Sequence, residues 1–219
     1  MTRPVSADAT AAFADLVEVM DRLRSPGGCP WDAEQTHVTL LPHAIEEVAE
    51  VVEAVEAGDR DGMREELGDL LLQVVFHARV AQEHPEDPFD IGDVAAGIAA
   101  KLRRRHPHVF GPEPTAGLAA GEVHRRWETI KQAEKGRSSA LDGVPPQLAA
   151  LARADKVLAR AERAGLAVDP VVGDGVGARL LALVLEARAA GIDPEAALRA
   201  RVRGLESDLR ARERADGPR

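Results

Sequence analysis

Glu66 and Asp69 are three residues apart, as are Glu47 and Glu50, and on a helix that spacing puts the members of each pair side by side. The second pair lies among Leu67, Leu70, Leu71, Leu72, Val74, Val75 and Phe76, which make its helix apolar on nearly every side. A helix of that kind is expected to be buried. Glu66, Asp69 and Gln73 nevertheless fall at i, i+3 and i+7 and form one narrow polar seam, with no Lys or Arg on it. Burying a carboxylate is costly unless it is paired or binds a metal. Four carboxylates from two facing helices would make an all-oxygen site suited to Mg²⁺ or Mn²⁺. The first pair also admits a plainer reading. Ile45, Val48, Val52 and Val55 form an ordinary apolar stripe, and Glu46, Glu50 and Glu53 could be a solvated outer face.

The elements that must position these residues are helical. Apolar residues recur at helical spacing nearly throughout, and alternating β-branched runs are absent. Helices are expected over about 11–24, 38–57, 60–84, 91–105, 121–135, 147–165, 177–190 and 194–213. Gly58 and Asp59 leave so short a turn between the two acidic helices that they should run antiparallel, as in a helical bundle. The fold class is therefore all-α. Residues 136–146, GRSSALDGVPP, read as a linker, and VVGDGVG at 171–177 as a second joint. GDLLLQVVFHARVA at 68–81 is echoed by GARLLALVLEARAA at 177–190. On that alignment Gly175 stands for Glu66 and Ala178 for Asp69. A decayed repeat that lost its carboxylates and a chance match of alanine-rich helices both fit.

Composition narrows the function classes. The 219 residues carry a net charge of −9, which argues against broad nucleic-acid binding and requires local cations for any polyanionic substrate. Lysine is rare, only Lys101, Lys131, Lys135 and Lys156 against 24 arginines, so each lysine is more informative than usual. One cysteine, Cys29, excludes an internal disulfide and a multi-cysteine zinc site. With no leader evident at the N-terminus, a cytoplasmic location is expected. The longest apolar run, 70–76, is broken by Gln73 and is far short of a membrane span.

Residues 29–37, CPWDAEQTH, are unusual in composition. Trp31 serves either as a core anchor or as a face on which a base stacks. Gln35, Thr36 and His37 can hydrogen-bond a base or phosphate, although Thr36 or Thr39 could equally be a helix N-cap. Taken with Glu46-Glu47-x-x-Glu50, Glu66-x-x-Asp69 within GDLLLQVVFHA, KLRRR at 101–105, HPHVF at 106–110 and Trp127-Glu-x-Ile-Lys131, this segment resembles the MazG-type nucleoside triphosphate pyrophosphohydrolases. The resemblance covers about residues 13–135.

The resemblance implies an all-α bundle of the nucleotide pyrophosphatase type that dimerises with itself. It implies Mg²⁺-dependent hydrolysis of a nucleoside triphosphate at the α–β bond, giving a nucleoside monophosphate and pyrophosphate, with removal of non-standard nucleotides as one use. By position, Glu47, Glu50, Glu66 and Asp69 would be metal ligands. Lys101, Arg105 and Lys131 would meet the triphosphate, and Trp127 would lie near the nucleotide. Trp31, Gln35 and His37 complete the expected substrate-binding set. Residues 13–135 would then be the catalytic domain, 136–146 a linker, and 147–213 a degenerate second helical repeat without metal ligands. Glu46, next to a ligand and three residues from His43, is either the base that orients water or a solvated surface glutamate.

The remaining polar clusters have plainer readings. His106 and His108 lack further ligands at zinc spacing and would shape a loop or touch phosphate. Arginines at 199–214 alternate with Glu206, Asp208 and Glu213, as on a salt-bridged outer helix. Two other function classes compete with the enzyme: a nucleotide-binding regulatory helical dimer without significant turnover, and a purely structural helical dimer. The unpaired polar seam argues against the last.

Overall fold

The computed structural model describes residues 7–111, 119, 121–123, 126–127, 130, 134, 139–168 and 175–216. Among these there is no strand, so the chain is all-α, as expected. It divides into two compact units, residues 1–123 and 124–219.

The first unit is built around two long helices, α3 (His37–Ala57) and α4 (Arg60–Ala81). They are joined by the two-residue turn Gly58–Asp59 and pack along each other antiparallel. Gly58 takes a left-handed φ of 69° and its N–H closes the end of α3 on Ala54 and Val55. Glycine adopts that conformation without steric cost. Asp59 then caps α4, its side chain accepting from the N–H groups of Asp61 and Gly62. Helix α1 (Ala7–Arg24) and helix α5 (Ile91–Arg105) also pack on α4. The core is Met20 from α1, Leu40 from α3, and Val75 and Phe76 from α4, with Leu16, Val17, Leu23, Leu72, Val80 and Ile91 packed around it.

Two short helices went unforeseen, α2 (Pro30–Glu34) and α6 (Pro107–Phe110). Each is a single turn opened by proline in its first positions, where the missing N–H costs nothing, and each is too short to show an apolar period. Helix α1 begins four residues earlier than expected, at Ala7, and α4 ends at Ala81, three residues before the expected 84.

The packing of α3 and α4 corrects two expectations. Of the stripe Ile45, Val48, Val52 and Val55, read as the core-facing side of α3, only Val52 is half-buried and the other three are exposed, Ile45 to 66%. Leu40 and Ala54 are the residues of α3 that are buried. Nor is α4 covered on all sides, since Leu67, Leu71 and Val74 stay exposed. Neighbouring helices enclose only part of the surface of each.

The second unit holds α7 (Ala150–Arg163), α8 (Val176–Ala189) and α9 (Pro194–Asp216), each packed on the other two. Leu158, Ala161 and Val184 are buried between them. Arg188 ties α8 to α7 through Asp155 and Glu162. Arg160, itself buried, donates to the carbonyls of Ala140, Asp142 and Gly143, so residues 140–143 of the expected linker are fastened to α7. Of the expected helix at 121–135, the described residues 121–123, 126, 127, 130 and 134 are helical. The expected joint at 171–177 lies outside the described residues except for 175–177. No described helix is long and apolar enough to cross a membrane.

Candidate metal and nucleotide site

Antiparallel packing brings the two acidic pairs together. Carboxylate oxygens of Glu47 on α3 and of Glu66 and Asp69 on α4 lie within 4.8 Å of one another, all three half-buried. Glu50, the fourth expected ligand, is exposed one turn along α3 and outside this tight group, although its charge reaches both Glu47 and Glu66. Glu46, Glu50 and Glu53 are exposed, as the solvated-face reading of α3 has them, while Glu47 is half-buried beside the α4 carboxylates.

The electrostatics are those of an unbalanced anion cluster. Glu47 is held above the ordinary carboxylate range by loss of solvent, then by the charges of Asp69, Glu50, Glu66 and Glu46. Glu66 is raised by the same loss of solvent, then by Glu50, Glu65, Asp69 and Glu53. The charges that raise these two groups are all carboxylates. Among the described residues no Lys, Arg or His forms an ion pair with Glu47, Glu50, Glu66 or Asp69. A hard divalent cation fits this donor set of carboxylate oxygens and removes the repulsion.

The polar seam continues along α4 past the carboxylates. Gln73 is 7% exposed, and its Oε1 has no hydrogen-bond partner among the described residues. A further turn on, His77 meets His37, the first residue of α3, with Nδ1 atoms 2.8 Å apart, ring centres 5.2 Å apart and ring planes 3° from parallel. Burial and the neighbouring His37 hold His77 below the ordinary imidazole value, so the neutral ring is favoured. His77 escaped the sequence reading although it continues the period 66, 69, 73, 77, which was signal enough to find it.

The 29–37 segment folds as α2 and the entry to α3. Thr36 is the N-cap of α3, in a reciprocal capping arrangement with Thr39. Gln35 spends its side chain locally: Nε2 donates to the Trp31 carbonyl at 2.9 Å, and Oε1 accepts from the Thr39 hydroxyl at 2.8 Å. Trp31 is 53% exposed, edge-on to His43 at 6.1 Å, and so is no core anchor. The segment is held by Arg24, at the end of α1. One Arg24 nitrogen donates to the carbonyls of Asp32 and Gln35. The others form a two-pronged pair with Glu83, and the guanidinium lies over Phe76, 5.7 Å from the ring centre. That pairing holds Glu83 below the ordinary carboxylate range. Arg24 could not be read from sequence, because Glu83 lies 59 residues away.

The remaining candidates are less converged. Glu46 is exposed, with His43 Nδ1 4.0 Å from its carboxylate. Lys101 is exposed on α5, and Arg105 is buried at the end of that helix. His106 Nδ1 is bonded to the Leu102 carbonyl and its ring lies against His108, consistent with a loop-shaping role. Trp127 is half-buried and belongs to the second unit, and Lys131 lies outside the described residues.

Comparison with known proteins meets this geometry. Residues 35–110 match the MazG nucleotide pyrophosphohydrolase domain, a span that includes all four acidic positions. The chain is 46% identical over 185 residues to the nucleoside triphosphate pyrophosphohydrolase of Escherichia coli (strain K12), covering 81% of this chain and 68% of that one. It is 39% identical over 216 residues to the nucleoside triphosphate pyrophosphohydrolase/pyrophosphatase MazG of Thermotoga maritima, covering 88% and 82%. An uncharacterized 26.1 kDa protein of Streptomyces cacaoi is 50% identical over 205 residues, covering 93% and 83%. Sharing that domain and that identity over most of its length, with a carboxylate cluster at its centre, the chain belongs to the MazG nucleotide pyrophosphohydrolase family.

Proposed function

We propose that this chain adds water across the α–β phosphoanhydride of a nucleoside triphosphate, releasing a nucleoside monophosphate and pyrophosphate, with Mg²⁺ held by Glu47, Glu50, Glu66 and Asp69. The observation that carries the reading is the convergence of three half-buried carboxylates with no ion-paired cation among the described residues. The activity in the names of the Escherichia coli and Thermotoga maritima relatives supports it. A divalent cation bound there supplies charge neutralisation for the phosphate oxygens and lowers the pKa of a bound water.

The chain's own residues then divide the work. Glu46 accepts the proton of the attacking water. Lys101, Arg105 and Lys131 offset charge on the phosphates and on the leaving pyrophosphate. Trp31, His37 and Trp127 hold the nucleoside, and Gln35 keeps the 29–37 segment in shape for it. We assign catalysis to residues 13–135, treat 136–146 as a connection, and read 147–213 as a decayed second copy without metal ligands. The exposed apolar faces of α3 and α4, with Val38 at 74% and Ile45 at 66% exposure, support pairing with a second copy of the chain. Removal of non-standard triphosphates in the cytoplasm is the use we assign.

A panel assay tests the reaction. Ordinary, deoxy and oxidised triphosphates, each with Mg²⁺, should give pyrophosphate and monophosphate in equal amounts from at least one substrate. Release of orthophosphate instead would move the cleavage to the γ position and contradict the proposal.

A further inference from the structure

In the proposed reading a cation accounts for the carboxylate end of the α4 seam, and at the other end His77 pairs with His37. Between them Gln73 is not accounted for. Its Oε1 is a buried acceptor without a donor among the described residues, on a helix whose adjacent residues Val75 and Phe76 are core. A buried polar atom left unpaired costs more than an apolar side chain of the same shape. Packing alone would favour leucine there. The second unit has an apolar answer at that place: on the alignment of 68–81 with 177–190, Ala182 stands for Gln73, where Gly175 and Ala178 stand for Glu66 and Asp69. The amide is absent from the same copy that lacks the carboxylates.

We propose that Gln73 is a ligand-contacting residue whose Oε1 accepts a hydrogen bond from an O–H that arrives with the metal–nucleotide complex. That O–H belongs either to a water of the cation or to a hydroxyl of the sugar. Gln73 is on the same face of α4 as Asp69 and one turn beyond it, so a ligand on the carboxylates can extend along the seam to reach it. The proposal rests on the nucleotide reading of the carboxylate site.

Gln73→Leu and Gln73→Met remove the acceptor at similar volume. Melting in EDTA is measured alongside calorimetric binding of Mg²⁺ alone and of a non-hydrolysable triphosphate analogue with Mg²⁺. Without ligand both variants should melt at or above the wild-type temperature, because a buried unpaired acceptor has gone. Their ligand affinity should fall by about tenfold or more, the scale of groups that act behind a metal's own ligands. Loss with Mg²⁺ alone places the donor on the cation's water, and loss only with the analogue places it on the sugar. A lower melting temperature in EDTA with unchanged affinities would make Gln73 a structural residue and overturn the proposal. If the wild type bound neither Mg²⁺ nor the analogue, the site reading itself would fall, and this inference with it.

Discussion

Glu47 and Glu66 resist ionisation because they have lost solvent and stand among other carboxylates. A carboxylate with a raised folded pKa binds more protons folded than unfolded, so in the metal-free protein these two take stability away as pH rises through the ordinary carboxylate value to the raised one. A cation binds the ionised forms and reverses that loss. The rise in melting temperature on adding Mg²⁺ should therefore be larger at pH 7.5 than at pH 5, and a shift independent of pH would count against the cluster as the binding site. Asp69→Asn removes one repelling charge and one ligand oxygen at almost constant shape. It should leave metal-free melting at neutral pH equal or higher and weaken Mg²⁺ binding by about tenfold or more; calorimetry with and without EDTA measures both. His77 works in another window. Its folded pKa is depressed, so below the ordinary imidazole value the unfolded chain takes up a proton that the folded one refuses, and stability falls as pH drops. His77→Gln should flatten the melting curve between pH 7 and the depressed value.

At the scale of elements, Arg24 joins α1, the 29–37 segment and the residues just after α4 through one guanidinium. Arg24→Ala should cost about 2 kcal/mol, the scale of hydrogen bonds to a charged group with Glu83 half in solvent. It should also admit protease within residues 29–37, and denaturant melting with limited proteolysis reads both effects. Arg24→Lys keeps the charge but not the fork, and should recover only part of the loss. The long helices were legible because their signals are local: period, the stop at Ser25–Gly28, and the turn at Gly58–Asp59. The α4 seam was legible for the same reason, since an apolar helix makes Glu66, Asp69 and Gln73 conspicuous. Which face of α3 turns inward was not legible. Ile45, Val48, Val52 and Val55 form the better stripe, yet all but Val52 are exposed, and Glu47 meets α4. A period shows that a helix has an apolar side but not what covers it. Arg24 was hidden for a different reason, because partners 59 residues apart leave no pattern in a local window.

For the whole molecule, those exposed apolar residues on α3 and α4 yield a prediction about assembly. Ile45→Glu should shift the chain toward monomer in light scattering, because a charge on an apolar contact opposes pairing. A chain truncated after Lys135 should retain some pyrophosphate release while losing thermal stability or changing oligomer size, because every proposed ligand and phosphate contact lies at or before Lys131. A soluble truncated chain of unchanged assembly with no activity would show that the residues after Lys135 supply a catalytic group, against the reading of 147–213 as a decayed copy. The most direct test of the central claim is pyrophosphate release from nucleoside triphosphates by the full chain with Mg²⁺, side by side with Asp69→Ala. The account predicts Mg²⁺-dependent, equimolar pyrophosphate and monophosphate from the wild type and loss of most of that turnover in the variant, with helical content unchanged by circular dichroism. Full turnover by Asp69→Ala would contradict it.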